Sequence, residues 1–194
     1  MRPTMDETWL TVALALARRG TCFKMQVGCV LTDARGRFLA GNYNGVAAGR
    51  PHCNEHREMI VPPQLFADGM RQRLTGTAIS AIVFPNKCAG ADAPHGADLC
   101  EAVHAEQNAL TWCRDPDEVR VCYTTISPCM RCVKQLLNTG CARIVFPSEY
   151  AREPQAAALW RGAGRSWELV DGEMRARLRA VEDRLDAPRA TRQD

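Results

Sequence analysis

Aromatic residues are scarce, 6% of 194 positions, and with them is missing the basic, aromatic-interleaved stripe on which single-stranded nucleic acid stacks. Neither sign of charge prevails. The 25 Lys and Arg are interspersed with 22 Asp and Glu, for a formal net charge of +3, so no strong field steers the chain toward a polyanion. No apolar run approaches the roughly 20 residues that cross a bilayer. The stretch LTVALALA (Leu10 to Ala17) follows Asp6 and Glu7, where a secretory leader carries positive charge. Repeats and low-complexity tracts are also lacking. These absences argue against nucleic-acid and membrane partners and lead us to expect a cytoplasmic globular protein.

Cysteine is what the sequence has in excess, with ten residues. A chain this long, with this many periodic apolar segments, does not need disulfides to fold. Metal ligation by some thiols and burial of the others is the expected use. Cys29, Cys113, Cys122 and Cys141 fall within strand-like or helix-like segments and are expected in the core.

The pattern reads as α-ββ-α-β-α-β-α-β-α. Thr4 and Glu7 form a capping box for a first helix, Gly20 stops it, and Met5, Trp9, Val12, Ala13 and Leu16 share a face. VGCVLTD and FLAGNY around a Gly-containing turn form a hairpin. EAVHAEQNALTWC is a helix without Gly or Pro, VRVCYTTI a strand, and SPCMRCVKQLL a helix ended by Asn138-Thr139-Gly140. ARIVFP, QAAALWRGAG and SWELV follow as strand, helix and strand, and a last helix spans about Glu173 to Leu185. Alternating helices and strands imply crossovers onto a largely parallel sheet, and the hairpin adds an antiparallel pair. The expectation is one three-layer α/β/α domain over 1–185 with a mixed five-stranded sheet, an irregular insert at about 46–99, and a polar tail at 186–194.

Two cysteines of SPCMRC, Cys129 and Cys132, stand three positions apart at a helix start, where the helix dipole favours the thiolate that binds metal. A catalytic zinc takes three protein ligands and keeps one position open. His104, in VHAEQ at another helix start, is the expected third ligand. Glu106 lies two residues on, and residues i and i+2 do not share a helix face. The carboxylate is therefore held beside the ion and not on it. Zinc makes water ionisable near neutral pH, and a neighbouring carboxylate can carry its proton to a ring nitrogen and a leaving amine. H-x-E followed by P-C-x-x-C is the signature of zinc-dependent nucleobase deamination. A closed structural zinc knuckle is the competing reading, but no fourth Cys or His stands near Cys129 and Cys132.

With TCFKMQVG and GNYNG upstream, HAEQNA and SPCxxC closely resemble the deoxycytidylate (dCMP) deaminase family of the cytidine deaminase superfamily, over roughly Trp9 to Val170. The resemblance implies hydrolysis of dCMP, and possible use of 5-substituted dCMP, to supply dUMP for thymidylate synthesis. It makes His104, Cys129 and Cys132 the zinc ligands and Glu106 the proton shuttle. Asn44, Ala105, Ser127 and Tyr150 match positions that contact the nucleoside, base or phosphate, and Lys24 and Gln26 occupy a stretch near the nucleotide. It also implies a homo-oligomer, commonly a hexamer, and control by dCTP and dTTP through the loop after YNG. There the loop reads YNGVAAGRPHC, with Ala47 in place of the family's proline. Related deaminases carry a second, structural zinc. Here Cys22, Cys53 and Cys100 are the expected ligands with His95 as the fourth, and Cys88 and His56 in reserve. Such a clip would staple an insert with little core of its own. Deamination of another nucleobase, nucleoside or polynucleotide, and a zinc-stabilised module without catalysis, stay open as alternatives.

Overall fold

The computed structural model describes residues 2–22, 24–50, 52–53 and 101–187. The chain divides into two compact units, one of Met1–Gly20, Gln26–Gly45 and Val103–Asp194, the other of Thr21–Met25 and Val46–Ala102. The second unit holds the whole stretch expected as an insert. Its described residues include an exposed turn with Gly49 in the left-handed region (φ 82°), an Arg50–Glu101 ion pair at 2.9 Å and the buried Cys53.

The first unit carries α1 (Met5–Ala17), β1 (Gly28–Thr32), β2 (Phe38–Tyr43), α2 (Ala105–Trp112), β5 (Val121–Thr124), α3 (Met130–Leu137), β6 (Arg143–Phe146), α4 (Pro154–Gly162), β7 (Ser166–Leu169) and α5 (Gly172–Asp186). Two short strands, β3 (Gly45–Val46) and β4 (Ala102–Val103), pair with each other. The main sheet has five strands in the order β2-β1-β5-β6-β7. β1 is antiparallel to β2 and β5, whereas β5, β6 and β7 run parallel. This is the mixed α/β sheet expected from the alternation of elements.

Strand residues alternate between the two faces, and both faces are covered. Val30, Tyr123 and Val145 meet Leu10, Ala13 and Leu14 of α1 and Leu178 of α5 in one core. On the same face Gly28 touches α1 so closely that a Cβ would overlap the Ala13 carbonyl oxygen. On the opposite face Phe146 packs edge-on against Trp167 at 5.2 Å between ring centroids, and Ile144 and Trp160 are fully buried.

Some local expectations shift. Thr4 does cap α1, its hydroxyl accepting the Glu7 N–H at 3.1 Å, but the Glu7 carboxylate is bonded to Arg177 of α5. The face of α1 that is fully covered is Leu10, Ala13, Leu14 and Ala17, about one residue round from the expected stripe, and Met5 is exposed. The helix is apolar on so much of its circumference that period alone did not single out one stripe. Gly20 lies beyond the last turn. It is small because a Cβ would press on Asn44 Oδ1, and it is not the left-handed stop expected of it. The helix expected from Glu101 begins at Ala105, because Ala102 and Val103 are used as a strand. Cys29, Cys122 and Cys141 are buried as expected, and Cys113 is partly exposed.

Candidate active site

The site is built where two helices begin against the sheet. The backbone N–H of Cys132 points back at Cys129, the N-cap residue of α3. His104 is the N-cap residue of α2. Each of these positions sits at the positive end of a helix dipole. The buried run Ser127-Pro128 carries the chain from the end of β5 into α3.

His104, Cys129 and Cys132 form a metal-competent group, their donor atoms all within 4.8 Å of one another. Cys129 Sγ and Cys132 Sγ lie 3.3 and 3.4 Å from His104 Nδ1 and 3.7 Å from each other. A tetrahedral ion with Zn–S of about 2.3 Å and Zn–N of about 2.05 Å needs edges of about 3.8 Å between sulfurs and about 3.6 Å between sulfur and nitrogen. The three observed edges fall within a few tenths of an ångström of those. The charges fit as well. The Cys132 thiol and the His104 ring bring Cys129 down to about 4, while its Cys129 partner and burial push Cys132 far up. Bonding to Cys129 raises His104. Two crowded sulfurs, one forced to keep the other's proton, are in the state that a divalent cation relieves. The residues fit zinc.

Glu106 is 4% exposed. Burial raises its carboxyl above the usual carboxylate range, partly offset by the His104 charge. It neighbours the ligands without belonging to the three-donor group. A carboxyl held beside three metal-competent donors, and kept from solvent, is suited to moving protons.

Ala105, which matches a base-contacting position, is fully buried beside these ligands. Asn44 is 7% exposed, and its Oδ1 accepts the Val27 N–H at 2.7 Å. Ser127 and Tyr150, named separately from the sequence, are neighbours. The Tyr150 N–H donates to Ser127 Oγ at 2.7 Å. Gln26 Nε2 donates to the Gly20 carbonyl at 2.6 Å. Lys24 is an exposed residue of the second unit, which also holds the half-buried Cys22 and the buried Cys53. His56, Cys88, His95 and Cys100 lie outside the described residues.

Two structural contacts of α2, within the HAEQNA motif, were not singled out from the sequence. Gln107 Oε1 accepts the His104 N–H at 3.2 Å, fixing the ligand's backbone. Asn108 Nδ2 donates to the Tyr43 carbonyl at 2.8 Å, tying α2 to the residue before Asn44. The signal was present, since Gln at the third position after a helix cap is the capping-box spacing.

The family pattern described as "Cytidine and deoxycytidylate deaminase zinc-binding region" matches residues 3–148. A deoxycytidylate deaminase of Mycobacterium phage D29 is 33% identical over 149 residues, 76% of this chain and 98% of that protein. The chain belongs to the deoxycytidylate deaminase family. The ComE operon protein 2 of Bacillus subtilis is 24% identical over 173 residues, covering 88% of this chain and 73% of its own length. The crystal structure of the dCMP deaminase from cyanophage S-TIM5 in complex with dCMP and dUMP superposes with a TM-score of 0.58 at 21% identity, over 88% of this chain and 99% of that one. The family's fold is thus the one described above, and its zinc-binding region spans all three donors.

Proposed function

We propose that the protein hydrolyses dCMP to dUMP and ammonia. The observation that carries this reading is the three-donor group found among the described residues, with a buried carboxylate beside it, in a chain of this family. Zinc held by His104, Cys129 and Cys132 supplies the Lewis acidity that makes water a nucleophile near neutral pH. Glu106 takes the proton from the attacking water and delivers it to the pyrimidine ring nitrogen and then to the departing amine. Water thus adds at the amino-bearing carbon, the C–N bond breaks, and one ammonia leaves. Asn44 and the Ala105 backbone orient the nucleoside and base. Ser127 and Tyr150 act as one unit against the base and the phosphate-bearing sugar, with Gln26 near the nucleotide.

The same reading includes a second, structural zinc on Cys22, Cys53, Cys100 and His95, a homo-hexameric assembly, and dCTP and dTTP as effectors at the loop after Asn44. It places the enzyme in the cytoplasm, in keeping with the lack of a membrane-length apolar helix among the described residues. Acceptance of 5-methyl or 5-hydroxymethyl dCMP is an extension of the same chemistry. Ammonia release from dCMP, compared with cytidine, dCTP and single-stranded DNA and repeated with dCTP and dTTP added, tests the proposal. Turnover confined to dCMP and its 5-substituted forms supports it. Equal or better turnover of cytidine or DNA overturns it. Zinc analysis decides the second ion, two per chain supporting it and one ending it.

A further inference from the structure

A cysteine that caps a helix and also binds metal leaves a problem at the first turn. Helix N-termini carry orphan N–H groups that a Ser, Thr, Asp or Asn oxygen usually satisfies. Cys129 has no such oxygen; its sulfur faces the Cys132 N–H, which leaves the first N–H of the helix, that of Met130, in need of an acceptor from elsewhere. In this chain the acceptor comes from 23 positions away. Glu153 Oε2 accepts the Met130 N–H at 2.6 Å. Glu153 is itself the N-cap residue of α4, yet its side chain makes no bond to its own helix. That helix opens on Pro154, which has no N–H to satisfy, so the carboxylate is released for its neighbour.

Two more bonds join the same segments. The Ser127 N–H donates to the Ser148 carbonyl at 2.9 Å, and Ser127 Oγ receives the Tyr150 N–H. At the far end of α3, Arg165 donates to the carbonyls of Leu136 and Leu137 at 3.0 and 2.9 Å. Its guanidinium lies over the Trp160 ring, 5.0 Å from the centroid. Residues flanking α4 therefore grip α3 at both ends, a carboxylate at its positive pole and a guanidinium at its negative pole.

We propose that Glu153 is a positioning residue of the metal centre: by holding the first N–H of α3 it fixes where Cys129 and Cys132 present their sulfurs. This rests on the assignment of those two cysteines as ligands. The test compares Glu153→Asp, Glu153→Gln and Glu153→Ala in the full chain. Asp keeps the charge and is suited to capping α4, so the protein folds, but it is one methylene too short to reach Met130. Gln keeps the reach and an acceptor oxygen. The readouts are zinc release to a chromophoric chelator and the thiolate-to-cobalt charge-transfer band after exchange of zinc for cobalt.

The Asp and Ala variants should release zinc about 10-fold faster or more and shift the cobalt band, and Gln should stay near wild type on both measures. An Asp variant with wild-type release and an unshifted band overturns the proposal. Cys132→Ser separates this from failure of the ligand assignment. Loss of part of the band in Cys132→Ser, with no effect in Glu153→Asp, defeats the Glu153 proposal alone. A Cys132→Ser protein that keeps the whole band defeats the assignment and the proposal together.

Discussion

Replacing Asp6 with Ala should loosen the first helix from the sheet by a calculable amount. Asp6 accepts hydrogen bonds from Arg143 Nη1 and Nη2 at 2.9 and 2.7 Å and from the Tyr123 hydroxyl at 2.9 Å. The pair is largely shielded, with side-chain exposures of 25% for Asp6 and 31% for Arg143. Charge-assisted bonds of this kind are worth roughly 1.5–3 kcal/mol each when well formed, and partial exposure reduces that. Arg143 also keeps Glu168 as a partner. A loss of about 2 kcal/mol follows, which for a chain of this length lowers Tm by roughly 4–8 °C. The effect depends on pH in a defined sense. The Arg143 bond holds the Asp6 carboxyl below the usual carboxylate range in the folded protein. Its contribution is therefore complete above the unfolded value of about 3.9 and is lost as pH falls through the lower folded value. Thermal unfolding of both proteins from pH 7 down to the acid limit of folding is the assay. A constant gap at neutral pH that closes in acid is expected. A gap below about 1 °C at pH 7, or one that persists undiminished in acid, refutes the reasoning.

Gly28→Ala should cost about 3 kcal/mol or more, because the added methyl meets the Ala13 backbone of α1 and not a movable side chain; chemical denaturation measures it. Asn108→Ala removes the bond to the Tyr43 carbonyl. It should cost about 1 kcal/mol of stability and raise KM for dCMP more than it lowers kcat, as steady-state kinetics would reveal. Chelation should abolish turnover, and added zinc should restore it to wild type but not to Cys132→Ser, which lacks one of the three donors.

The catalytic chemistry was legible because its residues are chemically unusual and lie on short, readable spacings. His104, Glu106, Cys129 and Cys132 stand at two helix starts, although the sequence placed the start of α2 at Glu101 and the structure places it at Ala105. The sheet was legible for a related reason, since β-branched runs such as RIVF alternate with helical segments. Three-dimensional pairings were not legible. Asp6 and Glu7 served in the sequence to argue against a leader peptide, and Glu7 to cap the first helix, whereas they bind Arg143 and Arg177, each more than a hundred positions away. The covered stripe of α1 was missed by one residue, because what covers a helix on both flanks is decided by the sheet and α5, not by the helix's own period. Glu153 is not singled out by the sequence, and its reach to Met130 reveals which helix it serves.

Turnover of dCMP by zinc-loaded Glu106→Gln, with metal content measured on the same sample, tests the central claim most directly. Glutamine keeps the size of the buried side chain and cannot accept a proton to pass on. The account predicts zinc at the His104, Cys129 and Cys132 donors equal to wild type, and ammonia release reduced by roughly 100-fold to 10,000-fold. Release within a few-fold of wild type would contradict it.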